Sequence, residues 1–354
     1  MSIQKTIRRF VALLFALPLG AAATHALAQK QTVVVYAATD AKIVRALIDD
    51  FERLNPDLRV DYHDLDSADL HQRFLAESAN GGRADVLWSS AMDLQVKLVN
   101  DGHAQRHTSP ETAALPPWAN WKNEAFGTSY EPIAIVYNRE LLAPEQVPAT
   151  HAELLKQLRA TPRRFRDRLL TYDPARSGLG FLLHSQDNLA NPFLFWSLVR
   201  VMGGLGMQGT STTGEMLDRV ADGSAALAYN ALGSYAMARA ARDPAIGVVL
   251  PKDYTLVMSR VIFIARNAPH PAAARRWVDH VLSLRGQALL ARNQGLYAVR
   301  SDLPGGTSVG GDLHQMLGPA FRPIAIGPGL LTYQDQIKRK NFLQRWEALV
   351  TPRP

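Results

Sequence analysis

Short apolar runs alternate with helical patterns in the first part of the chain. Thr32–Tyr36 is a β-branched run that predicts a buried strand, and a loop of small residues follows it. Apolar residues then recur at helical spacing from Ile43 to Leu54, and Asn55-Pro56 ends the predicted helix. Leu58–Tyr62 predicts the next strand. This order is typical of an open α/β sheet, in which ligands bind at the carboxyl ends of the strands.

The same alternation continues through the rest of the chain. Further strands are predicted at Ala84–Trp88, Ile133–Tyr137, Leu169–Tyr172, Ala225–Tyr229, Gly247–Leu250 and Arg260–Ala265. Helices are predicted at Pro192–Met202, Ala272–Leu284 and Gly286–Arg292, with an amphipathic helix over Thr332–Leu349. Ile133–Tyr137 and the later pair of strands are candidates for crossings between two lobes.

The amino terminus has the pattern of a secretory leader. Lys5, Arg8 and Arg9 precede the apolar stretch Phe10–Leu19, and Ala26-Leu27-Ala28 fits a small-x-small cleavage site. The chain contains no cysteine, which excludes disulfides, thiol catalysis and the acylated cysteine of a lipoprotein. We therefore expect a signal peptide that is cleaved after Ala28 and a mature protein in the periplasm.

Charge adds little to this interpretation. The formal net charge is +7, and removal of the three leader cations leaves +4. The basic clusters at 163–166 and 338–340 are expected to be solvated helix faces, so no nucleic-acid partner is predicted. The small excess of positive charge is compatible with an anionic ligand.

Length predicts two lobes, because the 326 residues that follow the leader exceed what a single core usually supports. We expect the signal peptide at 1–28, the first part of lobe 1 at 29–132, lobe 2 at 133–255 and the second part of lobe 1 at 256–310. A C-terminal helical segment at 311–354 is expected to pack on the lobes. A cleft between such lobes is the default ligand site.

Several segments together resemble a known family. They read VVVYAATD, ADVLWSS, FGTSYEPIAIVYN, LLTYDPARSGLGF, RNAPHPAAARRWVDHVLSLRGQALLARNQG and YQDQIKRKNFLQRW, and they span nearly the whole mature chain. The chain resembles periplasmic solute-binding proteins of ABC importers, in the group that binds ferric ion, phosphonates and phosphorylated sugars. The resemblance implies an α/β, two-lobed periplasmic-binding-protein fold with a ligand cleft between lobes joined by hinge strands. It also implies that the protein docks on an inner-membrane ABC permease and catalyses no reaction.

Two loops of the first lobe are expected at the cleft. Thr39 and Asp40 follow the first strand, where small residues let backbone N–H groups approach a ligand. Either residue could instead serve only as a helix cap. Ser89 and Ser90 end another strand, and one of them can cap the next helix while the other donates to an anion.

The loop from Asp173 to Gly178 is the sharpest local feature. Gly178 permits a tight turn, Ser177 supplies a hydroxyl, and Arg176 can clamp a phosphate or carboxylate with two hydrogen bonds. The alternative is a solvated arginine on a turn.

A fourth loop carries Tyr229 and Asn230 at the end of a predicted strand. Tyr229 can hydrogen-bond an anion or stack on a sugar. In ferric relatives two adjacent tyrosines bind the metal here, so Asn230 in the second place argues against iron. We predict no metal and no cofactor.

The hinge strands supply three further candidates. Tyr130 and Glu131 precede the first crossing, and Arg260 lies at the second. We favour contact of Arg260 with a negative ligand; the alternative is a pair with Glu131 that locks the hinge.

These residues predict a binding protein for a small phosphorylated, phosphonate or carboxylate solute, and a monomer. A ferric-iron binder and a sensory protein that presents its ligand to a membrane histidine kinase are the alternatives. A secreted hydrolase is disfavoured, because no GxSxG elbow or metalloprotease helix motif is present.

Overall fold

The structure is a computed structural model that describes residues 30–292, 296–303 and 313–351. The expected signal peptide at 1–28 lies outside the described residues. In the part of the chain described, no helix is both long enough and apolar enough to cross a membrane.

Strands recur along the whole described chain. They are β1 (Gln31–Ala37), β2 (Leu58–Asp64), β3 (Val86–Ser89), β4 (Asn120–Trp121), β5 (Ala125–Gly127), β6 (Ser129–Asn138), β7 (Leu169–Tyr172), β8 (Gln208–Thr210), β9 (Leu227–Leu232), β10 (Ile246–Val249), β11 (Thr255–Met258), β12 (Val261–Ile264), β13 (Tyr297–Ala298) and β14 (Phe321–Pro323).

Helices separate most of these strands. They are α1 (Ala41–Leu54), α2 (Ser67–Ser78), α3 (Met92–Asn100), α4 (Pro110–Ala113), α5 (His151–Ala160), α6 (Pro162–Phe165), α7 (Gly178–Ala190), α8 (Pro192–Gly204), α9 (Thr213–Ala221), α10 (Gly233–Ala240), α11 (Pro271–Leu282), α12 (Leu284–Arg292), α13 (Leu313–Leu317) and α14 (Gln336–Val350). Short 3-10 turns lie at Pro117–Ala119, Pro144–Gln146, Gly318–Ala320 and Pro328–Leu331.

The strands form two sheets, one in each lobe. The first has the order β2-β1-β3-β12-β5-β4, with β1 parallel to β2 and β3, and β12 antiparallel to β3. The second has the order β14-β11-β6-β9-β7-β8, and β10 and β13 also pair with β6. The α/β, two-lobed fold class is thereby confirmed.

Each lobe buries its own aromatic core. In lobe 1, Phe51 of α1 meets Trp277 of α11 edge-on at 5.1 Å between ring centroids, beside the buried Trp88 of β3. In lobe 2, Phe195 of α8 and Phe342 of α14 stack at 6.0 Å. Burying such side chains stabilises each lobe by roughly 1.5–3 kcal/mol per residue.

The chain crosses between the sheets at two places. It leaves the first sheet at Gly127 and enters the second at Ser129, a few residues before the expected division at 133. It returns between Met258 and Val261, a few residues after the expected division at 256. The second crossing therefore follows β11, a strand that the sequence pattern did not predict.

The C-terminal segment contacts both lobes. β14 pairs with β11 at the edge of the second sheet, and the turn at Pro328–Leu331 packs on α3 of lobe 1. The chain then returns to lobe 2, where α14 packs along α8. The segment thus lies across the junction of the lobes.

Candidate ligand cleft

A cleft of about 660 Å³ lies between the two lobes and is lined by residues of both. The lobes touch at one end of it, since a Cβ atom on Gly178 of lobe 2 would lie 3.6 Å from side-chain atoms of Ser67 and Leu94 of lobe 1. The lining residues come mainly from loops at the carboxyl ends of β1, β2, β3, β7 and β8. This is where an open α/β sheet presents its ligand site.

The wall from lobe 1 is rich in carboxylates. Asp40, Asp64, Asp66 and Asp69 all line it, together with the exposed Lys42. Asp64 Oδ2 accepts a hydrogen bond of 2.9 Å from the N–H of Ala41 at the start of α1, so a carboxylate already occupies that helix terminus. A ligand anion therefore finds little positive potential on this wall.

The wall from lobe 2 is lined by hydroxyl groups and a guanidinium. Among the described lining residues of lobe 2 no carboxylate occurs; they are Tyr172, Arg176, Ser177, Gly178, Leu179, Ser211, Thr212, Thr213, Gly214, Leu232 and Tyr235. The first turns of α7 and α9 both point into this wall. Ser177 and Thr212 cap them by accepting from the N–H groups of Gly180 and Glu215.

Arg176 is the free cation of this wall. Its side chain is exposed and makes no hydrogen bond or ion pair to any residue that the structure describes. Because it sits one residue before Ser177, it can approach an anion that binds at the start of α7.

The floor of the cleft is formed by Arg260, which is only 2% exposed. Its Nη1 donates to the carbonyl oxygen of Ala38 at 2.7 Å and to Thr39 Oγ1 at 2.9 Å. Its Nη2 donates to Glu131 Oε2 at 3.1 Å. Burial is the largest single influence and would lower the pKa of Arg260. The charge and hydrogen bond of Glu131, together with the nearby Tyr235 and Tyr62, outweigh it and hold that pKa above its usual value.

Two tyrosines complete the lining. The Tyr172 hydroxyl is hydrogen-bonded to Thr213 Oγ1, and the Tyr235 ring lies 5.9 Å from the Arg260 guanidinium carbon. Burial raises the pKa of Tyr235 to about 12, so its hydroxyl stays protonated and can donate to a ligand.

The structure brings half of the predicted site residues to the cleft and leaves the others elsewhere. Those that line it are Asp40, Ser90, Arg176, Ser177, Gly178 and Arg260. Thr39 lies directly behind the lining, where its hydroxyl accepts from Arg260. Ser89 is 1% exposed and its Oγ accepts from the N–H of Ala91, as a local turn contact.

Tyr229 and Asn230 lie in the interior of lobe 2. The Tyr229 hydroxyl donates to the buried Asp187 carboxylate, and Asn230 Nδ2 donates to the same group at 3.0 Å. The sequence interpretation placed them at a strand end, but β9 runs on to Leu232. The residues that reach the cleft from this part of the chain are therefore Leu232 and Tyr235.

Tyr130 and Glu131 are also absent from the described cleft lining. The Tyr130 ring packs against Trp118 at 5.0 Å and Phe321 at 5.6 Å, on the side of β13 and β14. Glu131 is fully buried and pairs with Arg260, with its Oε1 2.9 Å from Arg260 Nε. The arrangement follows the second of the two alternatives for Arg260, although Arg260 also lines the cleft.

Sequence reasoning missed several lining residues. The hydroxyl-rich stretch Thr210–Gly214 precedes a helical pattern, which is a signal that could have identified the start of α9. The aspartates at 64, 66 and 69 gave no such signal, because acidic residues around a helix start are common in any exposed helix.

The geometry defines a two-lobed solute-binding protein. The family model of the bacterial extracellular solute-binding proteins matches residues 46–307, and the chain belongs to that family. The predicted resemblance is thereby confirmed.

Solved structures agree with this assignment. The substrate-binding protein of an ABC transporter from Agrobacterium tumefaciens is 39% identical, with a TM-score of 0.85 over 91% of this chain and 95% of that one. Iron-bound HitA from Pseudomonas aeruginosa is 15% identical, with a TM-score of 0.70 over 91% of this chain and 100% of that one. The Bordetella ferric binding protein is 17% identical, with a TM-score of 0.66 over 90% and 99%. These two iron-related proteins share the fold of this chain. No curated protein matches the chain.

The family and the Agrobacterium relative establish the general function. The protein is an extracellular solute-binding protein of an ABC transporter and not an enzyme, as the sequence predicted. Proteins of this kind deliver small-molecule ligands to membrane permeases.

Proposed function

We propose that the protein captures a small anionic solute, carrying a phosphoryl, phosphonyl or carboxyl group, in the periplasm and delivers it to the inner-membrane permease. One observation carries this proposal: the lobe 2 wall holds Arg176 without a partner among the described residues, beside two helix starts and no carboxylate. An anion seated there accepts hydrogen bonds from charged and neutral donors at once.

The strength of such contacts fits the function. Hydrogen bonds to charged groups contribute about 1.5–3 kcal/mol each. Three or four of them supply about 5–12 kcal/mol, which is the same order as the roughly 8 kcal/mol of a micromolar complex. The cleft volume of about 660 Å³ is in the range of sites for small organic ligands.

Ferric iron is less well supported. Within the described residues no group of three or more His, Asp or Glu side chains is placed to hold a metal ion. Tyr172 and Tyr235 do reach the cleft, but the raised pKa of Tyr235 opposes a phenolate ligand. Arg176 also repels a cation at the lobe 2 wall, whereas the charge of Arg260 is compensated by Glu131.

The test is calorimetric titration of the purified protein with inorganic phosphate, glucose 6-phosphate, methylphosphonate, citrate and ferric citrate, with glucose as the neutral control. We expect a Kd in the micromolar range or below for at least one metal-free anion and none for glucose. Binding of glucose alone would contradict the proposal. Tight binding of ferric citrate alone, with a visible charge-transfer band, would favour the iron alternative.

A further inference from the structure

A buried charge network centred on Glu131 lies beneath the floor of the cleft. Glu131 is 0% exposed, and both of its carboxylate oxygens have partners. Oε1 accepts from Ser129 Oγ at 3.0 Å and lies 2.9 Å from Arg260 Nε. Oε2 accepts from Ser234 Oγ at 3.0 Å and from Arg260 Nη2 at 3.1 Å. Glu131 therefore acts on neighbouring side chains rather than on a ligand.

The network joins the two lobes through a single guanidinium. Glu131 belongs to β6 and Ser234 to the first turn of α10, so both move with lobe 2. Ala38 and Thr39, which accept from Arg260 Nη1, form the loop between β1 and α1 of lobe 1. Arg260 lies in the crossing between β11 and β12. Arg260 thus bridges the two lobes at the second crossing.

Glu131 controls where that guanidinium lies. A buried ion pair that loses one member leaves the other charge uncompensated, which is a large local cost. Without the Glu131 charge, the Arg260 side chain is no longer held against β6 by an opposite charge. Its two hydrogen bonds to the Ala38–Thr39 loop are then no longer fixed in position. Ala38 lines the cleft, so a shift of this loop would change the cleft lining.

We propose that Glu131 is a positioning residue of the ligand cleft, which holds Arg260 against the Ala38–Thr39 loop and so fixes that loop for ligand binding. Ser234 supports Glu131 from lobe 2. The effect on affinity rests on the function proposed above, whereas the effect on the loop can be measured without any ligand.

The first experiment is hydrogen exchange of the ligand-free protein with Glu131→Gln, which keeps the side-chain volume and removes the charge. We expect amide exchange in residues 38–43 to rise at least tenfold, with β2 at Leu58–Asp64 unchanged. Glu140→Gln, an exposed position that follows β6, is the matched control and should leave both segments unchanged. Unchanged exchange at 38–43, or an equal rise throughout lobe 1, overturns the proposal.

A milder variant covers the case in which Glu131→Gln does not fold. Ser234→Ala removes one of the hydrogen bonds to Glu131 and leaves the ion pair, so we expect a smaller rise confined to the same residues. No rise in this variant, when Glu131→Gln is unfolded, overturns the proposal.

The second experiment measures the affinity of the tightest anion from the panel for the wild type and Glu131→Gln. We expect a Kd at least tenfold higher in the variant; an unchanged or lower Kd overturns the positioning role. If the wild type binds no anion, the proposed function fails, and the exchange experiment still decides the role of Glu131.

Discussion

Arg176 lies on the lobe 2 wall with its guanidinium exposed and unpaired among the described residues. An exposed arginine of this kind contributes little to stability. Its position beside Ser177 at the start of α7 instead suits it to a ligand. Stability and binding can therefore be separated experimentally at this residue.

We expect Arg176→Ala to weaken binding of the tightest anion tenfold or more, because a charge-assisted hydrogen bond of about 1.5–3 kcal/mol is lost. The melting temperature should stay within a degree or two. Arg166→Ala, an exposed arginine outside the described cleft lining, is the control and should keep the wild-type Kd. Equal affinities for the wild type and Arg176→Ala in titration calorimetry would leave Arg176 a solvated surface residue.

Two buried ionisable groups give the stability an unusual pH dependence. Burial raises the pKa of Asp93 to about 6 and lowers the pKa of His184 to about 4. Asp93 accepts a hydrogen bond from Gln334 through Oδ2, and its Oδ1 has no partner among the described residues. Between pH 6 and 4 the folded protein takes up a proton at Asp93 that the unfolded chain does not, so acid stabilises. At His184 the unfolded chain takes up the proton, so acid destabilises.

We therefore expect the free energy of unfolding to fall further in Asp93→Asn than in the wild type when the pH is lowered from 6.5 to 4.5. The difference should be on the order of 1–3 kcal/mol, since one pKa unit corresponds to about 1.4 kcal/mol. In His184→Gln the free energy of unfolding should fall less than in the wild type over the same pH range. Urea unfolding at both pH values measures each effect; parallel curves for the wild type and both variants would show that neither group titrates as described.

Local chemistry was predictable at the residue scale where a site lies within one loop. The stretch from Asp173 to Gly178 shows its cap and cation directly in the sequence, and Arg176, Ser177 and Gly178 do line the cleft. For Arg260 the sequence named Glu131 as one possible partner but could not decide between that pair and ligand contact, because the two residues lie 129 positions apart. Only the pairing of β6 with β11 brings the two together.

At the scale of elements, α8 and α14 pack so closely that their backbones touch. A Cβ atom on Gly203 of α8 would lie 2.2 Å from the carbonyl oxygen of Leu349 in α14. The neighbouring Gly204 has no atom within 4 Å of its Cβ position. The glycine at 203 therefore sets the distance at which the C-terminal helix docks on lobe 2.

We expect Gly203→Ala to lower the free energy of unfolding by about 1–3 kcal/mol, because the added methyl group meets backbone that has to move. Gly204→Ala is the matched control in the same helix and should be neutral or slightly stabilising, since alanine favours helix over glycine. Thermal and urea unfolding compare the two. Equal stability of both variants would show that α14 does not approach α8 at this point.

Elements with a strong period were predictable, and short edge strands were not. β7 lies at Leu169–Tyr172, where the apolar run predicted it. The sequence missed β11, β13 and β14, because these short strands owe their conformation to partners far along the chain. β9 was placed too early by a few residues, and this shift alone moved Tyr229 and Asn230 from the interior to the predicted site.

At the scale of the whole molecule, the two walls of the cleft differ in charge. Lobe 1 presents Asp40, Asp64, Asp66 and Asp69, whereas the described lining of lobe 2 presents Arg176 and hydroxyl groups. The acidic wall of lobe 1 repels an anion that is bound at lobe 2. This repulsion is small only where the rest of the ligand keeps the anionic group away from the aspartates. We expect the lobes to close further around such a ligand, so that both walls contact it.

The measurement that tests this account most directly is small-angle scattering of the protein with and without the anion that binds most tightly. We predict a smaller radius of gyration with the anion, no change with glucose, and a weaker response in Arg176→Ala at the same ligand concentration. No compaction with any phosphorylated, phosphonate or carboxylate compound, at concentrations that saturate binding, would contradict the central claim that the interlobe cleft closes on an anionic solute.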